Sequence, residues 1–426
     1  MTEKELKELH EIYLTHPKIT RNSKAVQEGD IFWALKGEKF DGNNFAKEAL
    51  DKGAHIAVVD NPKLKNKKFF HVDDSLKALQ DFGHFHRHYV GMPTIGITGS
   101  NGKTTTKELV NAVLSQKYNT AATFKNLNNH IGVPLTLLDI PEDTDVAIVE
   151  MGSNHFGEIA TLAKIADPDF AIITSVGKAH LEQFKDIAGV LNEKKALFDH
   201  VKDKGGILFI NYDDKTIQNA AGQANIYGFS YQNNPAAQVQ LKDISTDAAL
   251  KIMLNETPIQ TQLTGKYNLS NIGYAIAAGK YFGLSDEEIK RALEHFVPKD
   301  MRSEIIEKDN NLIILDAYNA NPTSMKVALE NLAQMNGPKK VAVLGDMFEL
   351  GNAAHTEHQA VADLAKKLGI ETYLIGENFS QTQTDFPTYK TTEDFIKQGV
   401  FDRIKEANIL IKGSRGMALE KILQNT

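Results

Sequence analysis

The chain has no cysteine. Disulfide staples, thiolate zinc sites and cysteine nucleophiles are therefore excluded. The same absence is compatible with a reducing compartment but fits any compartment. Long apolar runs are also missing. The opening MTEKELKELHEIYL alternates charge with leucine and lacks the uninterrupted apolar core of a signal peptide. No later run approaches the length needed to cross a bilayer. Nor is there an excess of positive charge. With 48 Lys and Arg against 55 Asp and Glu, the net charge is -7, so no global field draws the chain to nucleic acid or anionic lipid. No repeat, low-complexity tract or long linker is evident. What remains is an ordinary globular composition, 42% hydrophobic and 24% charged, in a chain of 426 residues. That length is too great for one core and implies two to three domains. The expectation is a soluble cytoplasmic α/β protein with no nucleic-acid partner and no membrane insertion.

Short apolar runs alternate with helical patterns almost throughout, the signature of parallel sheets built from βα units. Three blocks separate, at residues 1–89, 90–298 and 299–426. In the first, IFWAL and HIAVVD read as strands, and helices follow Asn43 and Asp74. The second opens on TIGIT and carries the buried-strand candidates DVAIVE, FAIITSV and GGILFI. From Ala236 to Gly265 its polarity alternates, as in AQVQL and ALKIML, which predicts a small β-rich insertion or edge. Two helices follow, the second opening on a capping box of Ser285 and Glu288. The third block has the strand candidates LIILDA, KVAVLG, TYLIG and NILIKG. This is a doubly wound pattern without the glycine fingerprint of a dinucleotide fold.

The segment GITGSNGKTTTKELV is the most informative. A β-type run ends in a glycine-rich turn and passes into a helix-compatible stretch. Gly99 and Gly102 can take backbone angles other residues avoid. Their amides, with those of Ser100 and Asn101, are expected to line a concavity at a helix N-terminus that holds phosphate oxygens. Lys103 would reach the β- and γ-phosphates, and the Thr104 hydroxyl would ligate Mg²⁺. Thr105 extends the same loop. The common form G-x-x-x-x-G-K-[ST] places its first glycine at Ile97, whereas here glycine stands at Gly96 and Gly99. A phosphate loop by itself does not separate a motor, a switch, a kinase and a ligase.

In open α/β sheets, ligands bind at the carboxyl ends of strands. TIGIT ends in the phosphate loop, DVAIVE ends in Glu150, and FAIITSV leads to GKAHLEQF with His180. An acid emerging from a buried strand beside a phosphate loop is the usual Mg²⁺ partner. A strand-end carboxylate in water and a loop histidine bonded to backbone are the bland accounts of Glu150 and His180. They weaken when both accompany Lys103. His84, His86 and His88 resemble a metal cluster less well. On a helix only His84 and His88 share a face, no carboxylate joins them, and a solvated helix end is expected.

TGSNGKTTT, NLNNHIGVP, VEMGSNHFGEI, GKAHLEQF, GKYNLSNI, DAYNANP, LGDMFELG and IKGSRGM occur in this order across all three blocks. Together they resemble the Mur ligases. NLNN-x-IGVP, DAYNANP and GDM-x-ELG favour the branch that adds D-alanyl-D-alanine to UDP-N-acetylmuramoyl-tripeptide. GDIFWALKGEKFDGNNF resembles the UDP-sugar domain shared by that branch and the preceding enzyme of the pathway. The resemblance implies a three-domain α/β architecture. The first domain holds the UDP end of the substrate. A central P-loop ATPase domain holds ATP, and a C-terminal Rossmann-like domain closes over it and admits the dipeptide. The tripeptide carboxylate takes the γ-phosphoryl group, and the amine of D-alanyl-D-alanine displaces phosphate from the acyl phosphate. A monomer using ATP and two Mg²⁺ is expected.

Carried over by position, Lys103 and Thr104 serve phosphate and metal, and Glu150 and His180 look like metal ligands. Lys194 in NEKKALF matches the family's carbamylated lysine; an unmodified ammonium has no lone pair for a metal. Asn129 resembles a residue near the γ-phosphate. Asn268 and Asn271 resemble adenine-side asparagines, and Arg302 and Asp316 resemble groups that reach ATP on closure. Ser23, Lys24 and Lys36 are implied on the UDP side, and Asn319 and Asn321 on the dipeptide side. The chain departs from the family at several positions. Asn22, Ser23 and Lys24 stand for a D-S-R-like motif, and a lysine meets phosphate without arginine's planar fork. Tyr267 replaces a histidine, Ala196 a common glutamate and His130 an acid. The alternatives are another Mur-type amino-acid ligase, folylpolyglutamate synthase, or a P-loop switch that makes no bond. The third residue of the accepted peptide, diaminopimelate or lysine, is not legible.

Overall fold

The computed structural model describes residues 1–246, 249–337 and 339–424. Among the described residues three large sheets follow one another along the chain, with a separate two-stranded hairpin of Lys36–Gly37 and Phe40–Asp41. The first is four-stranded and parallel throughout, in the order Ile19–Thr20, Ile31–Trp33, Ile56–Val59, Phe69–His71. Its middle strands are the expected IFWAL and HIAVVD runs. Parallel strands are covered on both faces, which is why these runs are continuously apolar rather than alternating. Trp33 is fully buried, and its indole N–H donates to the Ser75 carbonyl at 2.7 Å. That bond ties the sheet to the first turn of the helix Ser75–Val90. Asp74 caps this helix, and Gly91, left-handed at φ 75°, ends it.

The second sheet has nine strands. Thr94–Thr98 is an interior strand, parallel to Phe170–Ile173 on one side and Val146–Glu150 on the other. The three strands expected to carry chemistry are thus neighbours, with their carboxyl ends together. Ile95 and Ile97 pack on one face against the helices Lys103–Leu114 and Asn268–Tyr281. Ala147 and Val149 pack on the other against Gly132–Leu138, Glu158–Ala166 and Ile187–Asp203. The expected β-rich insertion is an antiparallel ladder of Val239–Asp243, Ala249–Leu254 and Thr257–Thr264 that extends the sheet edge. Residues 247 and 248 of that segment lie outside the described residues. The capping box of Ser285 and Glu288 opens Asp286–His295 as expected.

The third sheet runs Glu304–Lys308, Asn311–Asp316, Ala407–Lys412, Lys339–Gly345, Glu371–Ile375, Thr388–Tyr389. Only its first pair is antiparallel. Glu304–Lys308, which has charge at both ends, is a strand without a long apolar run. The signal was its turn: Asp309 and Asn310 are both left-handed (φ 53° and 62°), the conformation a two-residue hairpin needs.

The first domain docks on the second through the helix Ser75–Val90, which lies on Gly132–Leu138. Here the histidine expectation is corrected. His86 is buried, not solvated. Its Nε2 lies 3.1 Å from the Ile140 carbonyl and its Nδ1 lies 3.0 Å from His10 Nε2. The cause is that the helix end is covered by the second domain. Arg87, also buried, donates to the Ala166 and Asp167 carbonyls and pairs with Asp169 at 2.6 Å. His84 and His88 do share a face, with ring centroids 4.4 Å apart.

Gly83 is the close-approach point of this joint. A Cβ there would stand 2.8 Å from Pro134 Cα and 2.9 Å from its carbonyl oxygen. Helix propensity alone would make Gly83→Ala stabilising by up to about 1 kcal/mol. Overpacking against backbone should reverse that sign and cost about 1–3 kcal/mol in urea unfolding. An unchanged or raised midpoint would show that the joint is loose.

Candidate active site

The phosphate loop is built as strand, turn and helix. Thr94–Thr98 ends at Gly99, and Lys103–Leu114 begins after Gly102, which is left-handed at φ 82°. A side chain at Gly102 would meet Asn271 Oδ1 at 2.5 Å, so glycine is required by space as well as angle. The first bond of this helix runs from the Thr106 amide to the Gly102 carbonyl. The amides of Gly102, Lys103, Thr104 and Thr105 therefore have no carbonyl within the helix and form its anion-attracting end. The expectation for the other loop amides is corrected. The Ser100 N–H donates to the Ser175 carbonyl at 2.9 Å and the Asn101 N–H to Ser175 Oγ at 3.0 Å. Both are consumed by the loop after the neighbouring strand, so the concavity belongs to the helix end. Lys103 Nζ donates to the Gly99 carbonyl at 2.7 Å, folding over the loop. Burial lowers its pKa, and the Glu150 carboxylate opposes that shift.

Glu150 closes the adjacent strand and is buried. Its Oε1 accepts from Asn128 Nδ2 at 2.8 Å, while Oε2 is buried with no hydrogen-bond partner. A buried, unpaired carboxylate oxygen is costly unless a cation completes it. This orphan atom beside Lys103 and the helix end fits a site for hard, oxygen-seeking Mg²⁺. Asn128 escaped the sequence reading, which took its neighbour. Asn129 spends its side-chain oxygen on the Ile131 and Gly132 amides, holding the turn that leads into Gly132–Leu138. The doubled asparagine in NLNN was the available signal, with nothing to rank the two.

Lys194 lies within Ile187–Asp203 and is buried. Its amine donates to Ser153 Oγ at 2.7 Å and stands 5.7 Å from the Phe184 ring centroid. Burial, reinforced by repulsion from Lys103, pulls its pKa down to about 7. Lys195 beside it pairs with Asp199 on the surface. Glu193, unremarked in the sequence, caps Glu158–Ala166 by accepting from the Gly157 and Ile159 amides, each at 2.7 Å. That ties the Lys194 helix to the loop after Glu150. His180 starts the short helix Leu181–Phe184 in a left-handed conformation (φ 50°) and stacks edge-on with Phe184.

Asn268 and Asn271 are buried beneath the loop. Asn271 accepts from Thr106 Oγ1 at 3.0 Å and donates to Asn268 at 2.7 Å; Asn268 donates to the Thr264 carbonyl at 2.7 Å. This relay shapes the loop from below.

The third domain docks on the same loop. Asn321 caps Pro322–Gln334 and donates to Asn101 Oδ1 at 2.7 Å. Thr323 accepts from the Lys178 amide at 3.0 Å, and Glu357 pairs with the Lys178 amine. Glu349 meets His180 Nδ1 at 2.5 Å. Arg302 joins Thr104 and Thr105 in lining a 510 Å³ cavity, its guanidinium 3.7 Å over the Tyr318 ring and its Nε buried without a partner. Tyr267 hydrogen-bonds Ser303 at 2.6 Å across the same joint. Asp316 is held by Lys412 at 2.6 Å, and Asn319 is exposed, its carbonyl accepting from Lys412 at 3.3 Å. In the first domain Ser23 is buried and Lys24 exposed in the loop before Ile31–Trp33, while Lys36 stands on a separate hairpin, paired with Asp60 at 2.9 Å. Among the described residues, no helix is long and apolar enough to cross a membrane.

Residues 18–87 match the family description "Mur ligase family, catalytic domain", 97–279 "Mur ligase middle domain" and 301–415 "Mur ligase, glutamate ligase domain". A relative from Bacillus subtilis, UDP-N-acetylmuramoyl-tripeptide--D-alanyl-D-alanine ligase, is 35% identical over 96% of this chain and 92% of its own. The crystal structure of MurF from Acinetobacter baumannii superposes with a TM-score of 0.87 at 31% identity, covering 96% of this chain and 92% of that one. MurF ligase from Thermotoga maritima in complex with ADP gives 0.86 at 27% identity, covering 97% of each chain. With matches to all three domains and end-to-end similarity to such relatives, the chain belongs to the Mur ligase family.

Proposed function

We propose that the chain is an ATP-dependent ligase that joins D-alanyl-D-alanine to UDP-N-acetylmuramoyl-tripeptide, releasing ADP and phosphate. The observation that carries this reading is the 35% identity, over nearly the whole of both chains, to the relative of that activity. The site chemistry agrees. A carboxylate resists attack because its charge is delocalised. Transfer of the γ-phosphoryl group from ATP to the tripeptide carboxylate makes an acyl phosphate and ADP. The dipeptide amine, having lost its proton, then forms the amide bond as the C–O bond to phosphate breaks.

Each step crowds anions, so the protein's work is positioning and charge screening. The amides of Gly102 to Thr105 and the Lys103 ammonium bind the β- and γ-phosphates. Arg302, with a free buried Nε, supplies a second cation from the third domain. Thr104, Glu150, His180 and a carbamylated Lys194 would hold two Mg²⁺. When bound, Mg²⁺ screens the phosphate charge and polarises the transferring group. Lys24 and Lys36 meet the UDP phosphates, with Ser23 beside Lys24. Asn321, hydrogen-bonded to Asn101 of the loop, and exposed Asn319 orient the dipeptide. ATP turnover separates this reading from its rivals. Phosphate release should need both UDP-N-acetylmuramoyl-tripeptide and D-alanyl-D-alanine. Equal turnover with the dipeptide-bearing nucleotide and a lone amino acid would reassign the branch, and slow release with neither substrate would indicate a switch.

Lys194 as a carbamate rests on its burial and lowered pKa. Reaction with CO₂ needs the neutral amine, and a pKa of about 7 makes that form abundant at neutral pH. The product is an oxygen donor on a long arm. Lys194→Ala should be at least about a hundredfold slower, the scale of losing one electrostatic stabiliser. Acetate should partly restore it, and Lys195→Ala should be mild. Full activity of Lys194→Ala would remove lysine from the metal set.

A further inference from the structure

Glu349 is set on a rigid mount. It follows the strand Lys339–Gly345 in a short loop pinned from several sides. The Asp346 carboxylate accepts from the Asn378 and Phe379 amides at 2.9 and 3.0 Å. The Met347 amide donates to His358 at 3.0 Å, and the Phe348 amide donates to Ser414 at 3.0 Å. Glu349 itself is left-handed at φ 63°, a conformation that costs free energy and persists only where surroundings enforce it. The result is a carboxylate carried out of the third domain to His180 Nδ1, 2.5 Å away. His180 is left-handed too. Two strained residues meet across a domain boundary.

Their contact has a chemical direction. A carboxylate offers lone pairs and no proton, so the proton in the bond belongs to His180 Nδ1. A neutral imidazole protonated on Nδ1 has its lone pair on Nε2. Carboxylate-bonded histidines are the usual arrangement where imidazole binds a metal, because the outer partner fixes tautomer and ring.

We propose that Glu349 is a positioning residue for the ligation reaction, which on domain docking fixes the His180 proton on Nδ1 and so leaves Nε2 as a bare donor for Mg²⁺. The proposal rests on the reading of His180 as a metal ligand. It makes metal affinity a property of the docked state, because the two halves of the pair belong to different domains. By linkage, the metal then favours docking to the same degree.

The test uses the full chain with a non-hydrolysable ATP analogue and Mn²⁺, whose binding is followed by electron paramagnetic resonance. Glu349→Ala should weaken Mn²⁺ about 10- to 100-fold, while Glu349→Gln, whose amide oxygen still accepts from Nδ1, should stay within about threefold. In the metal-free protein, imidazole ¹⁵N spectra should show Nδ1 protonated and Nε2 bare in the wild type and the glutamine variant, and lose that pattern in the alanine variant. If His180→Ala weakens Mn²⁺ and Glu349→Ala does not, the proposal fails while the ligand reading stands. If Glu349→Gln is as weak as Glu349→Ala, charge rather than tautomer is at work and the proposal also fails. If His180→Ala itself binds Mn²⁺ normally, the ligand reading fails instead.

Discussion

The site must gather several phosphate oxygens and two carboxylates without letting their charges push apart. Water screens such charges well but also hydrolyses an acyl phosphate. In the proposed reaction water is replaced by fixed partners, four helix-end amides and the Lys103 ammonium, while the partnerless oxygen of Glu150 is left to hold a cation. Preorganised dipoles of this kind cost no reorganisation when the charge moves. Everything nearby keeps them in place. The buried Asn268 and Asn271 relay supports the loop from below, and Ser175 grips Ser100 and Asn101 from the side.

That requirement also explains the three-part architecture. A closed phosphate site cannot admit three substrates. Part of it must come from a body that can leave. Asn321, Arg302 and Glu349 reach the loop region from the third domain, and none belongs to the strand–loop–helix unit that defines it. The first domain is joined differently. Gly83 lies hard against Pro134, and His86 and Arg87 are buried in carbonyl contacts. This is a close-packed joint, whereas the third domain meets the second through polar side chains such as Lys178 with Glu357 and Asn101 with Asn321.

The fold was largely legible because its central strands are buried on both faces. TIGIT, DVAIVE and FAIITSV read as uninterrupted apolar runs, and their shared carboxyl ends followed from the rule for open sheets. Glu304–Lys308 was legible only through the turn after it, since a short edge strand with charged ends has no long apolar run to betray it. His86 was misjudged because its burial is made by the second domain, and local pattern cannot see a tertiary cover. Within the site, Lys103, Glu150 and His180 carried local signals. Burial of Lys194 beside half-buried Lys195 is a matter of helix phase and neighbours. The Asn128 and Asn129 pair and the Ser175 grip depend on hydrogen-bond geometry, about which residue type is silent.

Docking of the third domain should complete the phosphate site. The natural absence of cysteine makes it directly measurable. Lys164 and Lys367 are exposed on helices of the second and third domains, so Lys164→Cys with Lys367→Cys gives two unambiguous spin-label positions. With ATP analogue, Mg²⁺ and UDP-N-acetylmuramoyl-tripeptide, pulsed dipolar spectroscopy should show one narrow distance matching the docked arrangement. Without ligands the distribution should broaden and shift to longer distance. An identical distribution under both conditions would contradict the account.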